Sequence, residues 1–111
     1  MLKFLFWNVG KKNIGNLVGS IASERDIDLV VLAECSTPLE TLRELNRTSP
    51  RNYFHLPSPT RRIHTYSCLP QGSITPLTEY SGLTIHQVHP PIGKDFLLVG
   101  VHLPSKMYMN S

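Results

Sequence analysis

Three polar side chains stand at or near the ends of apolar runs: Asn8 after Phe6 and Trp7, Glu34 after Val31 and Leu32, and His102 after Val99 and Val101. Burying a lone carboxylate costs several kcal/mol, so Glu34 calls for a cation, a metal ion or a cage of hydrogen bonds. A Glu and Asn oxygen set suits a hard divalent cation: magnesium takes one or two carboxylates, keeps waters and binds substrate phosphate. Manganese is its usual substitute. Such an ion would polarise a phosphoryl oxygen, with His102 donating a hydrogen bond to the same phosphate. Each residue also has a plainer reading. Glu34 could close a strand at the surface, Asn8 before Gly10 is ordinary turn chemistry, and His102 could be a satisfied edge residue.

The elements that would position these groups follow from periodicity. Residues 2–9 form a continuous apolar run, the pattern of a strand covered on both faces. Ile14, Leu17, Val18, Ile21 and Ala22 recur at helical spacing, which predicts an amphipathic helix over 13–24, weakened slightly by Gly15 and Gly19. Residues 29–33 predict a second buried strand that terminates in Glu34. Strand, helix, strand opens an α/β protein. Thr37, Pro38 and Glu40 have the spacing of a capping box, with Leu39, Leu42 and Leu45 as the buried side of the helix that follows. From 48 to 76 the chain is rich in Pro, Ser, Thr and Gly, and short strands are expected at 53–56 and 63–69, joined by loops. Residues 81–88 and 96–103 predict two further strands about a Pro90-Pro91-Gly93 turn, the last carrying His102. Ligands in α/β sheets commonly bind outside the carboxyl ends of strands, so the three polar groups could meet at one sheet edge.

Composition sets the outer bounds. The 111 residues fit one domain with a real core, and 41% hydrophobic with 17% charged residues is ordinary for a globular chain. A formal charge of +3 gives only a mild preference for anionic partners. Its distribution is more informative, because no Asp or Glu lies between Leu45 and Thr78 while Arg47, Arg51, Arg61 and Arg62 are interleaved with Tyr53, Phe54, His55, His64 and Tyr66. This 47–66 stretch is a candidate phosphate or nucleic-acid face and the basis of an alternative reading, a non-catalytic nucleic-acid or protein-binding module. A solvated loop surface is the plain account of the same residues. Cys35 and Cys68 lack zinc spacing and cannot make a disulfide framework, so a reducing cytoplasm is expected. Cys35 reads as a small buried residue with no base beside it, and His86 and His89 show no ligand partners in the sequence. Neither a secretion signal nor a membrane span is expected.

At the same residues the chain resembles the endonuclease/exonuclease/phosphatase superfamily, which includes deoxyribonuclease-I-like nucleases. Phe6-Trp7-Asn8-Val9 resembles that family's first strand with its active-site Asn, and 29–34 its second strand with the metal-binding Glu. Val99-Gly100-Val101-His102-Leu103 resembles a later strand with its active-site His. The resemblance implies a mixed sheet flanked by helices, as in half of a four-layer α/β sandwich, with residues 1–111 the amino-terminal portion of a larger phosphoesterase domain. It implies Mg2+, or Mn2+, on Glu34 with Asn8 ordering the site, and contact of His102 with the scissile phosphate of a phosphoester substrate, nucleic acid among the candidates. A weaker phosphate contact is expected from Arg61 and Arg62. The family's Gly-Asp-x-Asn and Ser-Asp-His motifs have no match after His102. On this reading the second sheet is absent, and a missing half or self-association covers the exposed face of the first.

Overall fold

The computed structural model describes residues 2–56, 62–70, 72–80 and 83–101. Its elements are β1 (Phe4–Asn8), α1 (Gly15–Glu24), β2 (Leu29–Ala33), α2 (Pro38–Thr48), β3 (Phe54–His55), β4 (Ile63–Ser67), β5 (Ile74–Tyr80), β6 (Leu83–Val88) and β7 (Phe96–Val101). The chain is an α/β protein with two sheets, ordered β1-β2-β4-β3 and β5-β6-β7. The first sheet is mixed, β1 and β2 being parallel and β4 antiparallel to both of its neighbours; the second is antiparallel throughout.

Strand β2 organises the layers because successive side chains point to opposite faces. Val30 and Leu32 join Val18, Ala22, Leu45 and Tyr66 in the core beneath the helices. Leu29 and Val31 point the other way and pack with Ile63 and Leu69 against Val88 and Leu98 of the second sheet. A run apolar at every position is what burial on both faces requires. The expectation of an absent second sheet is therefore corrected: three antiparallel strands cover the face of the first sheet opposite the helices. Among the described residues helices flank that sheet on one side only.

Strand β1 departs from the covered-on-both-faces pattern. It is an edge strand of its sheet. Leu5 and Trp7 pack toward the helices, whereas Phe6 is 55% exposed and Phe4, also exposed, meets the Phe96 ring edge-on at 5.8 Å. The uncovered apolar surface lies partly here and partly on the outer side of β7, where Leu97 is 60% exposed and Val99 is also exposed.

The two helices meet through small residues. Gly15, Val18, Gly19 and Ala22 form the buried stripe of α1, and Leu17, expected inside, lies off it and is exposed. A Cβ on Gly19 would sit 2.8 Å from the Glu44 carbonyl oxygen and 2.5 Å from Thr48 Oγ1. The glycines that weaken the sequence pattern are thus the contact surface. On α2 the buried positions are Thr41 and Leu45, while Leu39 is 63% exposed. The capping box is not formed. The Thr37 carbonyl accepts both the Thr41 N–H at 3.0 Å and its hydroxyl at 2.9 Å, and Glu40 accepts a hydrogen bond from Asn13 Nδ2 across the helix pair. Asn13, expected within α1, stands before its first residue. Helix α1 ends with Asp26 at φ 53°, its Ile27 N–H bonding back to the Ala22 carbonyl, the closure usually made by glycine.

Asp28 fixes the start of β2. Its side chain is 12% exposed, with Oδ1 accepting from Arg51 Nη2 at 2.6 Å and Oδ2 from the Lys3 N–H at 2.8 Å. Asp28→Ala would leave the Lys3 amide without its acceptor and the Arg51 guanidinium without its counter-ion. A loss of about 2 kcal/mol is expected, since the pair is only partly shielded from water. Urea denaturation measures it, and Arg51→Met, which keeps the alkyl stem, should cost less.

A second expectation concerns His86. It is 3% exposed, and its Nδ1 has no hydrogen-bond partner among the described residues. Burial lowers its pKa from the ordinary value of 6.5, so the fold holds the imidazole neutral. The unfolded chain therefore binds the extra proton, and stability is lost as pH falls below about 6.5, with a limiting slope of about 1.4 kcal/mol per pH unit. Thermal unfolding at pH 7.5 and 5.5 should show the loss in the wild type and a reduced loss in His86→Leu. At pH 7.5 that variant should be at least as stable as wild type, because it removes an unpaired polar atom.

Candidate metal and phosphate site

Because β1 and β2 run parallel and Asn8 pairs with Ala33, the residues leaving both strands emerge at one edge. Strand β4 runs oppositely, with Ile63 beside Ala33, so its amino end reaches the same edge. Asn8, Glu34 and Arg62 are thereby brought together by sheet register alone. The backbone locks the arrangement: the Glu34 N–H donates to the Arg62 carbonyl at 2.9 Å, and the Glu34 carbonyl accepts from the Lys11 N–H at 2.8 Å.

Glu34 is held at φ 56°, in the left-handed region. An L-residue pays roughly 1–2 kcal/mol there, which is why glycine is usual and a glutamate is not. The turn beside it is also left-handed. Gly10 and Lys11 have φ of 59° and 64°, and the Lys12 N–H bonds to the Val9 carbonyl at 3.1 Å. This is the pattern of a type I′ turn. Asn8 Oδ1 accepts the Gly10 N–H at 2.9 Å, so the turn-forming role of Asn8 is realised. An amide oxygen carries two lone pairs, and the second can still serve a cation.

A hard divalent cation fits this donor set in kind: one carboxylate at the half-buried Glu34 and one amide oxygen at the exposed Asn8, with water as the remaining ligands that magnesium characteristically keeps. Among the described residues no group of three or more His, Cys, Asp or Glu side chains is placed to hold a metal ion. His102 and Arg61 lie outside the described residues.

Among the described residues the basic stretch does not form one face. Arg47 pairs with Glu44 on α2, Arg51 with Asp28 at the start of β2, and Arg62 lies at that strand's opposite end. Tyr53 and Tyr66 are buried, their hydroxyls donating to the carbonyls of Ile27 and Pro38, and burial raises the pKa of both phenols. Phe54 remains exposed on β3. Neither cysteine is disulfide-bonded, and burial pushes the Cys68 thiol up, which opposes a nucleophilic role. His89, without a partner in the sequence reading, pairs with Asp95 at 2.7 Å.

One feature escaped the sequence. His55 Nε2 and His64 Nδ1 lie 2.9 Å apart across β3 and β4. No motif announces it, since nine residues separate the two and only strand pairing brings them together. Among the described residues no helix is long and apolar enough to cross a membrane. Searches of family models, curated proteins and solved structures returned no match to this chain.

Proposed function

We propose that the chain belongs to a divalent-metal-dependent phosphoester hydrolase of the endonuclease/exonuclease/phosphatase kind. The observation that carries this reading is Glu34: a carboxylate in a left-handed backbone position, clamped from both sides at the carboxyl end of β2 and beside Asn8. Strain retained where surrounding structure enforces it is a mark of functional positions. On this reading Glu34 and Asn8 hold Mg2+, or Mn2+ in its place, and Arg62, with Arg61, supplies positive charge for phosphate. His102 contacts the scissile phosphate. The metal would supply Lewis-acid stabilisation of charge on the phosphoryl oxygens. The Asn8 amide is oriented by the Gly10 N–H, and the Glu34 main chain is tied to the Lys11 and Arg62 segments. Two free thiols support a reducing, cytoplasmic setting.

The binding-module alternative is less well supported, because Glu44 and Asp28 already engage Arg47 and Arg51. The test is Mn2+ binding to the chain, followed by loss of the free-ion electron paramagnetic resonance signal. Mg2+-dependent hydrolysis of bis(p-nitrophenyl) phosphate is assayed alongside. Glu34→Gln should lower Mn2+ affinity roughly tenfold or more and remove any metal-dependent hydrolysis. Retention of both by the variant would sink the proposal.

A further inference from the structure

The pairing of β3 with β4 sets His55 opposite Tyr66, and His64 lies two residues along β4 on the same face. Both imidazoles are half-buried and so remain in reach of solvent. The His55 ring stacks on Tyr66 at 5.0 Å and 26°, and Tyr66 is itself fully buried and anchored by its hydroxyl on the Pro38 carbonyl at 2.9 Å. The pair therefore rests on a rigid wall rather than on a loop. Burial lowers the His55 pKa, which keeps a neutral ring available as a ligand at physiological pH.

The 2.9 Å separation is that of an N–H···N hydrogen bond between the two rings. Two imidazole nitrogens bound side by side to one ion, each about 2.05 Å away, lie about 2.9–3.3 Å apart, so a rotation of the rings that turns both lone pairs to a common point serves an ion without moving the strands. We infer that His55 and His64 form a two-imidazole site for a late first-row divalent ion, Cu2+ above Ni2+, with water at the remaining positions. Imidazole nitrogen does not suit magnesium, so this ion is of another class from the one assigned to Glu34, and neither inference needs the other.

In the metal-free pair one ring donates its N–H to the other. On metal binding that proton moves to the distal nitrogen of the same ring, and both facing lone pairs go to the ion. A neutral pair thus releases no proton, and a singly protonated pair releases one.

The test is titration of Cu2+ into the 111-residue chain at pH 7.5 in a non-coordinating buffer, with electron paramagnetic resonance of the one-equivalent complex. Hyperfine structure from two imidazole nitrogens is expected, with Cu2+ binding tighter than Zn2+ and no displacement by excess Mg2+. His55→Gln and His64→Gln should each weaken Cu2+ about 100-fold, because removing either ligand abolishes the chelate. His89→Gln should leave it unchanged. Circular dichroism checks that the variants fold. If either does not, the wild-type spectrum and the Cu2+-to-Zn2+ order decide. Fewer than two nitrogens, undiminished affinity in a folded His55 or His64 variant, or tighter Zn2+ binding would overturn the site.

Discussion

Glu34→Gly is expected to separate stability from chemistry. Glycine adopts the left-handed conformation without the Cβ penalty of roughly 1–2 kcal/mol, set against its own unfolded-state entropy of about 0.5–1 kcal/mol. The variant should therefore be as stable as wild type or up to about 1 kcal/mol more stable in urea. The same substitution removes the carboxylate, and with it the proposed cation. Several kcal/mol of Lewis-acid stabilisation would go too, so metal-dependent phosphoester hydrolysis should fall about 1000-fold. Glu34→Ala isolates the two effects, since it loses the ligand but keeps the strained φ of 56°. A purely structural glutamate gives the opposite pair of results: a less stable glycine variant and unaltered metal binding.

The second large effect is expected at Gly19. The Cβ of Gly19→Ala would have to displace the Glu44 carbonyl, 2.8 Å away, and backbone cannot swing aside as a flexible side chain can. Overpacking of this kind costs about 1–3 kcal/mol, against about 1 kcal/mol gained from alanine's helix propensity. Gly19→Val should lie beyond that range, having more bulk and poorer propensity. The control is Gly15→Ala, whose Cβ would approach Thr41 Cα only to 3.2 Å. Thermal unfolding should show Gly15→Ala near wild type and Gly19→Ala lower by roughly 5–10 °C. Equal behaviour of the two would mean that the helices separate at little cost.

Particular residues show what could be read in advance and what could not. The 29–33 run was legible because every position is apolar, and burial on both faces is the arrangement that rewards this. Its carboxyl-end Glu34 was legible for the same reason, as an exception to the run. The left-handed backbone of Glu34 was not, because nothing in residue type marks a non-glycine residue for that region. Phe4 and Phe6 misled: an apolar pattern cannot say that β1 is an edge strand with one neighbour. Leu39 misled as well, since Thr41 takes the buried position where α2 meets a glycine-lined helix. Strand β5 was hidden by Pro76, which breaks strand patterning but is tolerated at a sheet edge, and the register shifts between Pro76 and Thr78. The second sheet went unseen for that reason, although 83–88 and 96–101 read as strands. The His55 and His64 pair was beyond reach, because it depends on tertiary register and not on spacing.

The edges of the two sheets are defended unequally. Strand β5 carries a proline and a bulge, and β3 is only two residues long, so both make poor templates for an incoming chain. Strand β1 offers five residues, Phe4-Leu5-Phe6-Trp7-Asn8, without charge or proline and with one side unpaired among the described residues. Such a segment matches the composition from which intermolecular β-stacking starts. When the chain is handled alone its colloidal behaviour is thus set at β1, and Phe6→Lys, at the most exposed aromatic of that strand, should suppress precipitation without touching either core.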